Sequence, residues 1–217
     1  MKTTPTLAQV LVATAFLFCG RLAVAADAAH LVDDVETLYR SHPVIYAEFS
    51  ETIKVVSTKS EQKKKGRIWI SKPNKIRWET LEPEPEILIS DGVQFWFYTP
   101  PFEKGDRGQV VIRKSKNVQT ELLDGILAGD FKKLEKSGNK VTELQDTLEI
   151  IPKLGSGGDL KKIRVQIQKD HLIHEINLSY HSGNDTQIIL VSVQFPKSVD
   201  SALFHFSPDH NTDVLRE

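Results

Sequence analysis

Short stretches of alternating apolar and polar residues, separated by turn residues, follow one another along nearly the whole chain after Pro43. This alternation has the two-residue period of β-strands, whose successive side chains point to opposite faces of a sheet. About eleven such stretches occur, beginning with VIYAEFSETIKVV and ending with LFHFSP. So many short, regularly spaced strands predict a mainly β protein. Its single antiparallel sheet should be strongly curved into an incomplete barrel.

Two regions have helical spacing instead. Leu31, Val35 and Leu38 recur on one side of a predicted N-terminal helix, which ends before Pro43. Near the middle of the chain, one or two short helices are predicted, weakened by Gly125. The apolar residues of this central region are Leu122, Leu123, Ile126 and Leu127. We expect both helical regions to cover part of the curved sheet.

The first 25 residues have the order of a secretory signal peptide, with a basic start, a short apolar run and small residues. Cleavage is predicted after Ala25, with Ala26 as the next choice. The apolar run is shorter than the roughly 20 residues that a membrane anchor needs. A lipoprotein signal at Cys19 is disfavoured because the residue before it, Phe18, is large. We therefore expect an exported protein in which residues 26–217 form one domain.

Composition narrows the possible chemistry. Cys19 is the only cysteine and lies in the predicted signal peptide, so the mature chain should have no disulfide or thiol chemistry. The net charge of −1 at pH 7 does not suggest a nucleic-acid partner. His171 and His174 would lie on opposite faces of a strand, so we expect no metal site. Motifs of common hydrolases and nucleotide-binding enzymes are missing from the sequence, and we expect neither catalysis nor a cofactor.

Bulky residues concentrate between residues 66 and 98, which include all three tryptophans. Alternation places Ile76 and Trp78 on one face of a strand, and Phe95 and Phe97 on one face of another. Burial of both faces in a core is one interpretation. A cavity for an apolar ligand inside the curved sheet is the other.

Two turns are predicted beside these strands. Asp91 and Gly92 predict a tight two-residue hairpin loop, which would make the strands before and after it antiparallel neighbours. Residues 59–66, KSEQKKKG, are predicted to be a charged, solvated turn.

Three ordered segments resemble the LolA family of periplasmic lipoprotein carriers. They are AEFSETI around Phe49, GRIWISKPNKIRW at residues 66–78 and EILISDGVQFWFYTP at residues 86–100. The resemblance runs from about Leu31 to the C-terminus and implies an incomplete antiparallel barrel with a lid of short helices over its concave side. It also implies a monomeric, non-enzymatic carrier in the periplasm. Such a carrier takes lipoproteins from an inner-membrane ABC transporter, shields their acyl chains and passes them to an outer-membrane receptor.

The resemblance implies roles for individual residues. The acyl-chain cavity would be lined by Phe49, Ile76, Trp78, Leu88, Phe95 and Phe97. The lid would present Leu31, Val35, Leu38, Leu122, Leu123, Ile126 and Leu127. Lys72 occupies the position of an arginine that, in the best-known members, fastens the closed lid through hydrogen bonds to backbone carbonyls. Because lysine offers three donors on a flexible stem and arginine five in a planar fork, we expect a differently organised latch.

Two alternatives to the carrier role stay open. The first is a periplasmic binding protein or sensor for another lipid or hydrophobic ligand. The second is a secreted glycosidase, since its two carboxylates can come from distant strands. Its candidate acids are Glu48, Glu51, Glu79 and Asp91.

Overall fold

The computed structural model describes residues 30–103, 105–114, 118–155 and 158–217, with the backbone alone at residues 118 and 119. The predicted signal peptide lies outside the described residues. The helices are α1 (Leu31–Arg40), α2 (Val118–Leu127) and α3 (Phe131–Lys136), and a 3₁₀ turn spans Ser201–Phe204. The strands are β1 (Val44–Val55), β2 (Ser60–Ser71), β3 (Lys75–Glu82), β4 (Glu86–Ser90), β5 (Phe95–Thr99), β6 (Gly108–Arg113), β7 (Lys140–Leu144), β8 (Thr147–Ile151), β9 (Leu160–Ile167), β10 (Ile173–Tyr180), β11 (Asp185–Gln194) and β12 (Thr212–Arg216).

All twelve strands belong to one sheet in the order β12-β6-β5-β4-β3-β2-β1-β11-β10-β9-β8-β7. Helix α1 has ten residues and is about 15 Å long. It is hydrogen-bonded at its start to Glu143 of β7 and near its end to Lys72, which follows β2, although six strand spacings separate these two strands in the sheet order. A flat sheet would hold them about 30 Å apart at the usual strand spacing. The sheet is therefore curved around its core. Its edges, β12 and β7, are not paired with each other in the described parts of the chain, so the predicted incomplete barrel is confirmed.

The core fills the inner face, which we define as the face covered by the helices. Val35 and Tyr39 of α1 are buried there beside Phe131 of α3. Gly125 lets α2 and α3 approach closely, because a Cβ atom at this position would lie 2.7 Å from Leu134 Cδ2. The central glycine therefore serves helix packing, and two central helices form as predicted.

The C-terminal segment departs from the prediction. LFHFSP was expected to be a strand, but its first residues end the 3₁₀ turn Ser201–Phe204. Phe204 is buried, and the ring of Phe206 lies 4.6 Å from that of Tyr98 on the outer face of the sheet. The alternation of apolar residues thus reflects packing across the sheet rather than pairing within it. The last strand is β12, which pairs with β6 in parallel, whereas the other neighbouring strands are antiparallel.

The two turn predictions were partly wrong. Residues 60–65 continue strand β2, because they pair with β1 as far as Val55 opposite Ser60. The hairpin after β4 has a four-residue loop, since Ser90 pairs with Phe95. The Asp91 carboxylate accepts hydrogen bonds from the backbone N–H groups of the two residues after Gly92 at 2.8 and 2.9 Å, which stabilises the wider loop. The prediction that β4 and β5 are antiparallel neighbours is confirmed.

Candidate functional site

A cavity of about 300 Å³ lies between the inner face of β3, β4 and β5 and helix α2. Trp78, Leu88 and Phe97 form a row across its floor, since Trp78 pairs with Leu88 and Leu88 with Phe97. Ile76 extends this floor along β3, and Leu123 of α2 faces it from above. The cavity is at the lower end of the roughly 300–1,000 Å³ range of small-ligand sites.

Four of the six residues expected to line an acyl-chain cavity do line this one, namely Ile76, Trp78, Leu88 and Phe97. Phe49 is buried beneath it, with its ring 4.7 Å from that of Trp78. Phe95 shares the face of Phe97 but is buried outside the lining. Phe49 therefore supports the cavity floor through Trp78, whereas Phe95 lies beside the lining on the same face.

The expected lid residues divide between two places. Leu123 lines the cavity, and Leu122, Ile126 and Leu127 of the same helix are buried in the main core. The α1 residues pack against that core instead: Val35 is fully buried, and Leu31 and Leu38 are partly buried. Of the described helices, only α2 therefore contributes to the cavity, while α1 covers a neighbouring part of the sheet.

Lys72 contacts α1. Its ammonium group donates a hydrogen bond to the backbone carbonyl of Tyr39 at 2.7 Å, in the last turn of that helix. A cation is favourable at this end of a helix, where carbonyl groups lack partners within the helix. Burial lowers the pKa of Lys72, and the negative charge of Asp130 opposes this effect.

Glu36 ties α1 to α3. Its side chain is buried, accepts the backbone N–H of Lys132 at 2.6 Å and pairs with Arg40 at 3.0 Å. The Lys132 ammonium also pairs with Asp33. These polar contacts join α1 to α3. Helix α2, in contrast, faces the cavity with apolar side chains such as Leu123.

One end of the cavity is polar and consists of Glu51, Lys64, Thr80 and Glu86. The Lys64 ammonium lies 2.9 Å from a carboxylate oxygen of Glu86. Burial raises the pKa of Glu51, which the positive charge of Lys64 partly offsets. Lys64 was not predicted to lie at the cavity, because residues 59–66 were expected to form a turn. The alternation in β1 did place Glu51 on the face of Phe49.

The family model for the outer membrane lipoprotein carrier protein LolA matches residues 41–207. The chain belongs to the LolA family. It is 28% identical over 214 residues to the outer-membrane lipoprotein carrier protein of Dechloromonas aromatica, covering 96% of this chain and 97% of that protein. It is also 28% identical over 186 residues to the protein of the same description from Pectobacterium carotovorum, covering 86% of each chain.

A solved structure supports the fold independently. The uncharacterized conserved protein from Thermus thermophilus superposes with a TM-score of 0.52 at 13% identity, over 86% of this chain and 97% of that one. At this identity, the likeness shows that the two chains share a fold. No helix within the described residues of this LolA-family chain is long and apolar enough to cross a membrane.

The four candidate glycosidase acids do not converge in this LolA-family structure. Glu79 is held between Arg67 and Arg77, each at 2.5 Å. Glu51 lies at the cavity, whereas Asp91 caps the β4–β5 loop. Glu48 precedes the inner-face residue Phe49 and accepts a hydrogen bond from Tyr46 at 3.1 Å.

Groups of three or more metal-ligating side chains are absent from the part of the chain that the structure describes.

Tyr39 should make this chain less stable at alkaline pH. Its buried hydroxyl accepts the backbone N–H of Ile173 at 3.1 Å, and burial raises the pKa of Tyr39 to about 12. The unfolded chain loses this proton near pH 10. The stability from Tyr39 is thus fully present below pH 10 and is lost as the pH rises towards 12, by at most about 3 kcal/mol. Urea unfolding at pH 8 and 11 should show a larger loss for the native chain than for Tyr39→Phe, and equal losses would contradict this assignment.

Proposed function

We propose that this chain carries lipoproteins through the periplasm by enclosing their acyl chains in the cavity beneath α2. The observation that carries this proposal is the apolar row Trp78, Leu88 and Phe97, which faces a helix across an open space. Family membership supports it, as do relatives named as outer-membrane lipoprotein carriers. Each acyl CH₂ group removed from water would contribute about 0.8 kcal/mol to binding.

Loading requires α2 to move. The cavity of about 300 Å³ is small for a ligand with several acyl chains. Helix α2 would swing away from Leu88 and Phe97 while α1 and α3 stay joined through Glu36. Because part of the binding free energy is spent on opening, the apparent affinity falls into a range that allows the cargo to be released.

The proposed route starts at an inner-membrane ABC transporter and ends at an outer-membrane receptor. The chain would act as an exported monomer in the periplasm, without catalysis or a cofactor. The role is then limited to holding acyl chains out of water between two membranes, for which an enclosed apolar cavity is sufficient.

Lys72 is proposed to hold α1 in place as part of this closed state. We expect Lys72→Met to lower the free energy of opening of the last turn of α1 by about 1.5 kcal/mol, because a hydrogen bond from a charged group to the Tyr39 carbonyl is lost. Hydrogen exchange in the last turn of α1 should then become about tenfold faster, while β8 and β9 stay protected. Lys72→Arg should restore the protection, and exposed Lys63→Met is the matched control. Unchanged hydrogen exchange in Lys72→Met would contradict the proposed role of Lys72 in holding α1.

A release experiment tests the proposed function. Inner-membrane vesicles that contain the ABC transporter and a radiolabelled lipoprotein are incubated with ATP and the mature chain. We expect the labelled lipoprotein to appear in the supernatant as a complex with the chain. Failure to release it would contradict the carrier role. Mass spectrometry of the purified protein, if it found another lipid in place of lipoprotein, would favour the sensor alternative.

A further inference from the structure

The polar end of the cavity has an unbalanced charge. Glu51 and Lys64 are opposite each other on β1 and β2, and Glu86 begins β4. The Lys64 ammonium group forms an ion pair with the Glu86 carboxylate, with 2.9 Å between nitrogen and oxygen. Among the described residues that line this end, two carboxylates therefore share one cation, at the place where the apolar floor ends. Asp124 of α2 also lines the cavity and takes part in interactions of its own.

The position of Glu51 makes this imbalance relevant to a ligand. It is only partly exposed, so water screens its charge less than it would on an open surface. A ligand whose chain lies along Trp78 and Leu88 would have its head group at this end. An anionic head would then stand beside Glu51, in a setting where like charges repel strongly. A neutral carbonyl has no such penalty and can accept a hydrogen bond from Lys64 or Thr80.

We propose that Glu51, Lys64 and Glu86 select ligands by their head group, accepting acyl chains on neutral ester or amide groups and rejecting anionic amphiphiles. This inference rests on the proposed function. It names the class of acyl ligand that the cavity takes. Fatty-acid anions and phospholipids with a negatively charged phosphate are rejected, so the cavity does not fill with membrane lipid in a compartment bounded by membranes.

Displacement of a neutral fluorescent probe, N-phenyl-1-naphthylamine, from the purified mature chain tests this selection. The competitors are 1-monolauroylglycerol and laurate at pH 8 and low salt, which have the same acyl chain and differ in head-group charge. We expect the ester to displace the probe at a concentration at least tenfold lower than laurate. The double change Glu51→Gln with Glu86→Gln should reduce this preference below about threefold, and 0.5 M salt should weaken it through screening.

Glu48→Gln is the matched control because Glu48, one position before the inner-face residue Phe49, bonds to Tyr46 outside the cavity. It should keep the native preference. Equal displacement by laurate and the ester in the native chain, or an unchanged preference in the double variant, would overturn the selection while leaving the carrier role intact. If neither amphiphile displaced the probe, the proposed function itself would fail, and the selection with it.

Discussion

Leu88→Glu is expected to reduce lipoprotein release from membrane vesicles at least a hundredfold. Leu88 lies at the centre of the apolar row, between Trp78 and Phe97. A carboxylate there would be buried against acyl chains without a partner. Such a charge costs several kcal/mol or forces the group to take up a proton. At about 1.4 kcal/mol for each factor of ten, a loss of about 3 kcal/mol already gives the hundredfold effect.

The matched control is Val191→Glu, because Val191 is an apolar residue of β11 with 65% of its surface exposed. This variant should release lipoprotein like the native chain. Leu88 does not belong to either buried cluster of the described residues, so Leu88→Glu should still fold, which thermal unfolding would check. Native-like release by a folded Leu88→Glu variant would contradict the assignment of the cavity.

Gly66→Ala is expected to destabilise the fold by about 3 kcal/mol, through overpacking of the core. A Cβ atom at Gly66 would lie 1.9 Å from the backbone carbonyl oxygen of Glu79 and 2.7 Å from the ring of Phe49. Neither can retreat easily: the carbonyl belongs to strand β3, and Phe49 is buried against Trp78. The irregular register between Lys65 and Gly66 marks the same close approach.

Urea unfolding at neutral pH measures this effect, with Gln62→Ala on the exposed part of β2 as the control. The control should change stability by less than about 0.5 kcal/mol. Because Phe49 supports the cavity floor, Gly66→Ala should also weaken probe binding in the fraction that remains folded. A stability equal to that of the native chain would mean that β2 and β3 can separate at this point at little cost.

Strand periodicity was sufficient to predict most of the sheet, since residues such as Ile76 and Trp78 alternate wherever one face is buried. It failed where the alternation had another cause. Phe204 is buried and Phe206 packs against Tyr98 on the outer face, and neither belongs to a strand of the described residues. Lys63 and Lys65 had the composition of a turn, but their partner strand β1 extends beyond the core and pairs with them.

The site was harder to predict than the fold because it depends on distances between separate strands and helices. The alternation put Ile76, Trp78 and Phe97 on candidate faces, and the resemblance pointed to the same residues. Neither the alternation nor the resemblance could show that α1 packs beside the cavity rather than over it. The position of α1 depends on the contact between Lys72 and Tyr39. Lys64 was missed because its partner Glu86 is 22 residues away along the chain.

Site-specific photo-cross-linking tests the central claim most directly. The photoreactive analogue p-benzoylphenylalanine replaces Phe97 in the cavity or Val191 on the exposed surface. The chain is then loaded with a lipoprotein from inner-membrane vesicles and irradiated. We predict cross-links from position 97 to the acylated lipoprotein, none from position 191, and none from either position to a lipoprotein that lacks its acyl chains. Loaded lipoprotein that cross-links at position 191 but not at position 97 would contradict the account.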